Sequence, residues 1–295
     1  MDDQPLKPPP PDPPSGDRSF DAIMPDAMAL RAEAAGVKKA RLDLLSLLAL
    51  ALLGGAFIAL GAMFATVVSA GGDGALPYGL HRLAAGVVFS LGLILVIAGG
   101  AELFTGNALI VMAWAARLVT LRELLRNWCV VFAGNLVAGL ATAGLVFATG
   151  QYRFGGGAVG AVALAQAEAK CALGFGQALA LGVLCNVLVC LACWLCLGAR
   201  TTADRILAIV PPVAAFVAAG FEHSVANMYT IPLGLMIKAW AEPAFWQEIG
   251  RSAADYGALS WAGFGHNLLP VVIGNMIGGG VLVGGVYWLI YLRKR

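Results

Sequence analysis

The sequence predicts an all-α polytopic membrane protein of six spans, arranged as inverted three-helix repeats with broken second and fifth spans. Three observations carry that prediction. Of the 295 residues, 60% are apolar and 12% are charged, with a mean hydropathy of +0.81, whereas soluble domains sit near half apolar and a quarter charged. Several apolar runs reach the roughly 20 residues that a bilayer core requires. Two polar patterns recur, in the same order, in the two halves of the chain. The composition excludes a soluble enzyme and a disordered chain. A net charge of +2, with Lys and Arg scattered over short loops, leaves no basic patch for nucleic acid.

Residues 1–19 are rich in Pro and Asp and lack any apolar period, so a disordered tail is expected; without a basic start and apolar core it is not a signal peptide. Residues 20–41 set Ile23, Met24, Met28 and Leu30 against Arg31, Glu33, Lys38 and Lys39, which predicts an amphipathic helix on the cytoplasmic membrane surface. The six-span transporter domain occupies 42–295. Its apolar segments run over about 42–69, 83–115, 124–149, 172–198, 204–238 and 264–292.

The second and fifth segments exceed one span and are interrupted by polar residues, Glu102 to Asn107 in one and Glu222 to Asn227 in the other. Such breaks are tolerated in a bilayer only where they line a cavity or are buried in protein. Pro211 and Pro212 are expected to kink the fifth segment. Trp128, Trp261, Tyr287 and Tyr291 read as interface anchors, and Gly274, Gly278, Gly280 and Gly284 as a close-packing stripe. Of the nineteen Lys and Arg, only Arg82, Arg153, Lys170, Lys238 and Arg251 fall on the outer side if both termini are cytoplasmic, which sets that orientation. Cys190, Cys193 and Cys196 form a C-x2-C-x2-C run inside an apolar segment. With no fourth ligand they are read as packing residues, and no metal or cofactor is expected.

Gly-x-Glu-x4-Asn occurs at Gly100, Glu102 and Asn107 and again at Gly220, Glu222 and Asn227. Asn-x6-Gly-Asn-x3-Gly occurs at Asn127, Gly134, Asn135 and Gly139 and again at Asn267, Gly274, Asn275 and Gly279. Two copies of a unit with three spans must run in opposite directions, and broken helices of such repeats meet near the midplane, where a transport site forms. Histidine in a span is rare and faces a cavity or a proton pathway, which singles out His223. His81 and His266 fall at outer ends and need no such role. Glu102 and Glu222 hold equivalent positions, and their expected task is structural, accepting backbone N–H groups freed at the breaks.

The stretches Ala101-Glu102-Leu103-Phe104-Thr105, Asn186-Val187-Leu188-Val189-Cys190, Gly220-Phe221-Glu222-His223-Ser224-Val225-Ala226-Asn227-Met228, Asn267-Leu268-Leu269-Pro270-Val271 and Ile273-Gly274-Asn275 resemble the formate/nitrite transporter family, in order and over about residues 20–292. The resemblance implies an aquaporin-like protomer in a homopentamer, in the cytoplasmic (inner) membrane of a bacterium. Its pore would have His223 at the middle, with Asn186 beside it as the histidine's partner, and Thr105 on the first break. Lys170 would attract anions in the outer vestibule, and Phe89, Leu93, Leu103 and Phe216 would form constrictions whose assignment to either gate stays open.

The implied function is passage of a small weak-acid anion, formate first and nitrite as the alternative, with hydrosulfide or short carboxylates admitted by the same chemistry. A bare anion crossing an apolar constriction is costly, so a proton from or near His223 would neutralise it. Glu222, His223 and Ser224 do not make a hydrolase, since neighbours at a helix end do not converge as a triad and no G-x-S-x-G elbow is present. A non-conducting sensor is the other class. The amino-terminal helix is read equally as a gate or as an anchor.

Overall fold

The computed structural model describes residues 23–71 and 76–294. The expected tail and the first three residues of the expected surface helix lie outside the described residues. Among those described, the regular structure is helical, with no strand.

α1 (Pro25–Ala40) begins with proline at its first position, carries Asp26 in its first turn and ends on Lys38 and Lys39, so both ends complement the helix dipole. The sequence expects its apolar face to lie on the membrane surface, but most of that face packs inside the protein instead. Met28, Ala29, Ala32, Val37 and Ala40 are buried against the chain itself. α2 (Leu44–Ser69) starts where Asp43 accepts the Ser46 N–H at 3.0 Å. That bond holds the exposed Asp43 carboxyl below its ordinary value of 3.8.

α3 (Tyr78–Gly99) stops at Gly100, and α4 (Gly106–Ala115) resumes six residues later. α5 (Leu121–Ala148) begins with a capping box of Thr120 and Glu123. α6 (Ala158–Cys171) occupies what the sequence left as an outer loop. α7 (Phe175–Gly198) is followed by α8 (Thr202–Ala218), capped by Thr201 and Asp204, and its helix continues through Pro211 and Pro212. After a second break come α9 (Ser224–Trp240), the short α10 (Pro243–Ile249), and α11 (Trp261–Tyr291), whose glycine-rich stretch Ile277–Gly285 widens into a π-helix.

Five helices, α2, α3, α5, α7 and α11, are long and apolar enough to cross a membrane. α8 and α9 are shorter and follow one another across the second break. α3 packs on both α2 and α8, α5 on α2 and α9, and α7 on α11. The α3–α8 crossing is close because Gly86 faces the Ala214 backbone, where a Cβ would lie 2.6 Å from the Ala214 carbonyl oxygen. Gly274 and Gly278 likewise pack on α7 at Leu179 and Val183, so this part of the glycine stripe is used within the chain. Large apolar side chains such as Leu145, Leu207 and Ile290 are exposed on the outside, while Asn107, Asn127, Asn135, Asn186, Asn227, Asn267 and Asn275 are buried inside. That inverted pattern suits a bundle surrounded by lipid.

Candidate site at the two helix breaks

Each break opens on a glycine in the left-handed region, Gly100 at φ 81° and Gly220 at φ 76°, a conformation that a side chain disfavours. Backbone groups released there must be satisfied inside the protein. The structure assigns that task to asparagines rather than to the expected glutamates. Asn135 Oδ1 accepts the Phe104 N–H at 2.9 Å, while its Nδ2 donates to the carbonyls of Ala51 at 2.6 Å and Glu102 at 3.1 Å. At the other break Asn275 Oδ1 accepts the Ser224 N–H at 2.9 Å, and its Nδ2 donates to Gly182 at 2.8 Å and Glu222 at 3.0 Å. A carboxylate can only accept, whereas an amide does both at once.

Glu102 and Glu222 bind side chains instead. Lys39 Nζ lies 2.7 Å from Glu102 Oε1, Asn107 Nδ2 donates to Glu102 Oε2 at 2.6 Å and to Asn127 Oδ1 at 2.8 Å, and Asn127 Nδ2 donates to the Lys39 carbonyl at 2.9 Å. The second set repeats the first: Lys170 Nζ to Glu222 Oε1 at 2.7 Å, Asn227 Nδ2 to Glu222 Oε2 at 2.6 Å and to Asn267 Oδ1 at 2.7 Å, and Asn267 Nδ2 to the Lys170 carbonyl at 2.9 Å. Lys170 is therefore paired, and its charge is spent on Glu222 rather than offered to an anion. Lys39 was missed as a site residue, although its place before Glu102 parallels that of Lys170 before Glu222. Trp128 is also no simple interface anchor, since its Nε1 donates to the Asn107 carbonyl at 2.9 Å.

The two breaks meet at Thr105 and His223. Thr105 Oγ1 stands 2.9 Å from His223 Nε2, and both residues are buried. His223 is the residue that caps α9: its Nδ1 accepts the Ala226 N–H at 3.1 Å. An N–H donor at Nδ1 requires a lone pair there, so the neutral ring carries its proton on Nε2 and donates it to the Thr105 hydroxyl. The expected pairing of Asn186 with His223 is not made. Asn186 Nδ2 instead donates to the carbonyls of Thr105 at 3.1 Å and Asn275 at 2.6 Å, joining the first break to α11, while its Oδ1 is buried without a partner among the described residues.

The four apolar candidates divide into two pairs. Phe89 and Phe216 meet edge to face with ring centroids 5.6 Å apart, and Phe216 lies nearly parallel to the His223 ring at 5.9 Å. Leu93 and Leu103 line a cavity of about 420 Å³ on the α1 side, together with Lys39, Glu102 and Cys193. Phe89 and Leu93 are one helical turn apart on the same face of α3. The aromatic pair thus lies against the His223 ring, and the leucine pair lines the cavity on the α1 side. Among the described residues no cluster of His, Cys, Asp or Glu could hold a metal.

A helical membrane transporter, rather than an enzyme, is the class that these features and the following comparisons define. The chain belongs to the formate/nitrite transporter family, whose sequence profile, described as Formate/nitrite transporter, matches residues 26–289. It is 43% identical over 280 residues to the formate channel FocA of Escherichia coli strain K12, covering 95% of this chain and 98% of that protein. It is 36% identical over 278 residues to the formate channel FocB of the same strain, covering 94% of this chain and 98% of that one. A solved structure described as a pentameric formate channel with formate bound is similar at TM-score 0.81 and 43% identity, covering 85% of this chain and 98% of that one.

Proposed function

We propose that this chain conducts formate through each protomer of a homopentamer, across six spans formed by two inverted three-helix repeats with both termini in the cytoplasm. The observation that carries the reading is the Thr105–His223 hydrogen bond of 2.9 Å, which joins the two breaks beside Phe216, and we read the Phe89–Phe216 and Leu93–Leu103 pairs as the constrictions on its two sides. The matched side-chain sets at Glu102 and Glu222 support the repeat, and now add α1 and α6 to its two copies. The names of the similar formate channels support the substrate, and the pentameric neighbour supports the assembly.

In this reading the neutral His223 ring donates to Thr105, whose hydroxyl proton is then free to turn toward an anion. Asn186 Oδ1, lacking a partner among the described residues, suits the O–H of a neutral acid. Passage as formic acid avoids the cost of a bare charge between apolar side chains. A proton can be relayed by His223 only from its doubly protonated form, and protonating Nδ1 sets it against the Ala226 N–H. The relay therefore couples to loosening of the first turn of α9: the imidazolium gives its Nε2 proton through the Thr105 hydroxyl to formate, leaving formic acid and a neutral ring protonated on Nδ1, and loss of that proton with uptake of another at Nε2 restores the capping lone pair.

The test is flux of labelled formate and of nitrite into proteoliposomes at clamped potential over a range of pH. Formate entry that rises as the outer pH falls supports the mechanism. Preference for nitrite moves the substrate assignment, and formate flux that follows potential alone removes the proton.

A further inference from the structure

We infer that Arg82 is the cation that keeps the far mouth of the pathway open to anions, by neutralising the carboxyl end of α8 beside the aromatic constriction and presenting its remaining N–H groups to an entering carboxylate. The inference rests on the formate pathway proposed above. Arg82 precedes Phe89 by seven residues, so it lies on the same face of α3, two turns and about 10 Å toward the far side. Its side chain crosses to α8. Nη2 donates to the Val217 carbonyl at 2.5 Å and Nε to the Ala218 carbonyl at 3.2 Å, immediately after Phe216 and before the Gly220 turn.

Those carbonyls form the negative end of the α8 dipole, equivalent to roughly half a charge. The Val217 carbonyl also accepts the Gly220 N–H at 3.1 Å, but without the guanidinium this end of the helix would still present negative charge to an anion. The guanidinium outweighs that charge and leaves a net positive end, and among the described residues three of its five N–H groups are uncommitted, in a planar fork that matches a carboxylate. Of the other outer-side cations, Lys170 pairs with Glu222, Arg153 with Glu242, and Lys238 donates to the carbonyls of Tyr256 and Leu259, while Arg251 is exposed on the loop after α10, away from α3 and α8 in the chain. Among the described residues no carboxylate forms an ion pair with Arg82. The position 120 residues on, by the repeat offset of the two breaks, is Thr202, so the repeat does not place an arginine at the equivalent position of the other mouth. Influx and efflux should therefore depend on it unequally.

The experiment measures formate entry and exit in right-side-out membrane vesicles carrying the wild type, Arg82→Met, Arg82→Gln or Arg82→Lys, at equal amounts of assembled protein. Gln can still donate to the α8 carbonyls but has no charge; Lys keeps both. At low ionic strength the Met and Gln variants should need about tenfold more formate for half-maximal entry, with exit little changed and Lys close to wild type. Added salt should narrow the difference. Met equal to wild type, or Gln restoring entry as well as Lys, overturns the inference and leaves Arg82 as a helix cap. A wild type that carries no formate overturns the proposed function itself, and the inference with it.

Discussion

Replacing Glu222 by Gln is the most direct probe of how the second break is held. The Glu222 side chain is 5% exposed and its partner Lys170 21% exposed, with 2.7 Å between the charged atoms. At an effective dielectric constant of 20 that separation gives a gross attraction of about 6 kcal/mol, much of it offset by desolvation. Gln removes the charge but not the burial of Lys170. It also turns an NH2 group toward donors, because Lys170, Asn227 and Asn267 all point N–H groups at the two carboxylate oxygens. Leaving one partner of a buried pair alone costs about 3–5 kcal/mol, which corresponds to a fall of roughly 6–10 °C in unfolding temperature. Adding Lys170→Met removes the orphaned charge and should recover about 2 kcal/mol of that loss, a coupling well outside additivity. The equivalent Glu102→Gln should cost about half as much, since Lys39 is 34% exposed and water screens it. The assay is thermal unfolding of detergent-solubilised protein followed by a thiol-reactive dye, with the buried Cys185 and Cys190 as reporters. A Glu222→Gln protein that unfolds within about 2 °C of wild type, a double variant no more stable than the single one, or the reverse ranking of the two glutamates would refute the reasoning.

Three further predictions concern the centre, the constriction and a helix start. His223→Phe should abolish formate flux and lower stability by about 1–2 kcal/mol, because the Ala226 N–H loses its acceptor; His223→Asn, a good capping residue, should keep the stability while flattening the pH profile of flux, and a wild-type profile in either variant would reduce the histidine to packing. Gly86→Ala should force α3 and α8 apart at Ala214, cost about 1–3 kcal/mol, and raise acetate flux relative to formate by loosening the contact of Phe89 with Phe216; unchanged selectivity would detach the constriction from that crossing. The depressed Asp43 carboxyl stabilises the folded state above its unfolded value of 3.8 and loses that contribution as pH falls through its lower folded value; the gap in unfolding temperature between wild type and Asp43→Ala should be constant at neutral pH and close only below about pH 4, whereas a gap that closes near pH 6 would point to another group.

Much of the helical framework was legible because hydropathy is local. The capping boxes of Thr120 with Glu123 and Thr201 with Asp204, which start α5 and α8, were seen only in the structure. The paired motifs also located both breaks, since polar residues inside long apolar runs must be buried in protein or line a cavity. The carboxylates were assigned the wrong partners because a motif gives residue types and spacing but not which atoms face each other. Asn135 and Asn275 stood in the repeated pattern without a role until their amides were seen bridging backbone donors and acceptors from two helices. α6 was hidden for a different reason. Its alanine-rich sequence is too short for a span and is interrupted by Gln166, Glu168 and Lys170, so it reads as an outer loop, yet it carries Lys170 to Glu222 as α1 carries Lys39 to Glu102.

The amino-acid sequence by itself determined that the chain is a helical membrane protein, where its two polar interruptions fall, and that a histidine stands in the second of them. These follow from composition, periodicity and the spacing of a few residues along one chain. Tertiary structure alone decided that His223 meets Thr105 rather than Asn186, that Lys170 is spent on Glu222, and that Phe89 and Phe216 stand apart from Leu93 and Leu103. Each of those contacts joins residues far apart in sequence, and in a medium with little water every buried donor and acceptor takes the partner that the packing of the helices brings within reach.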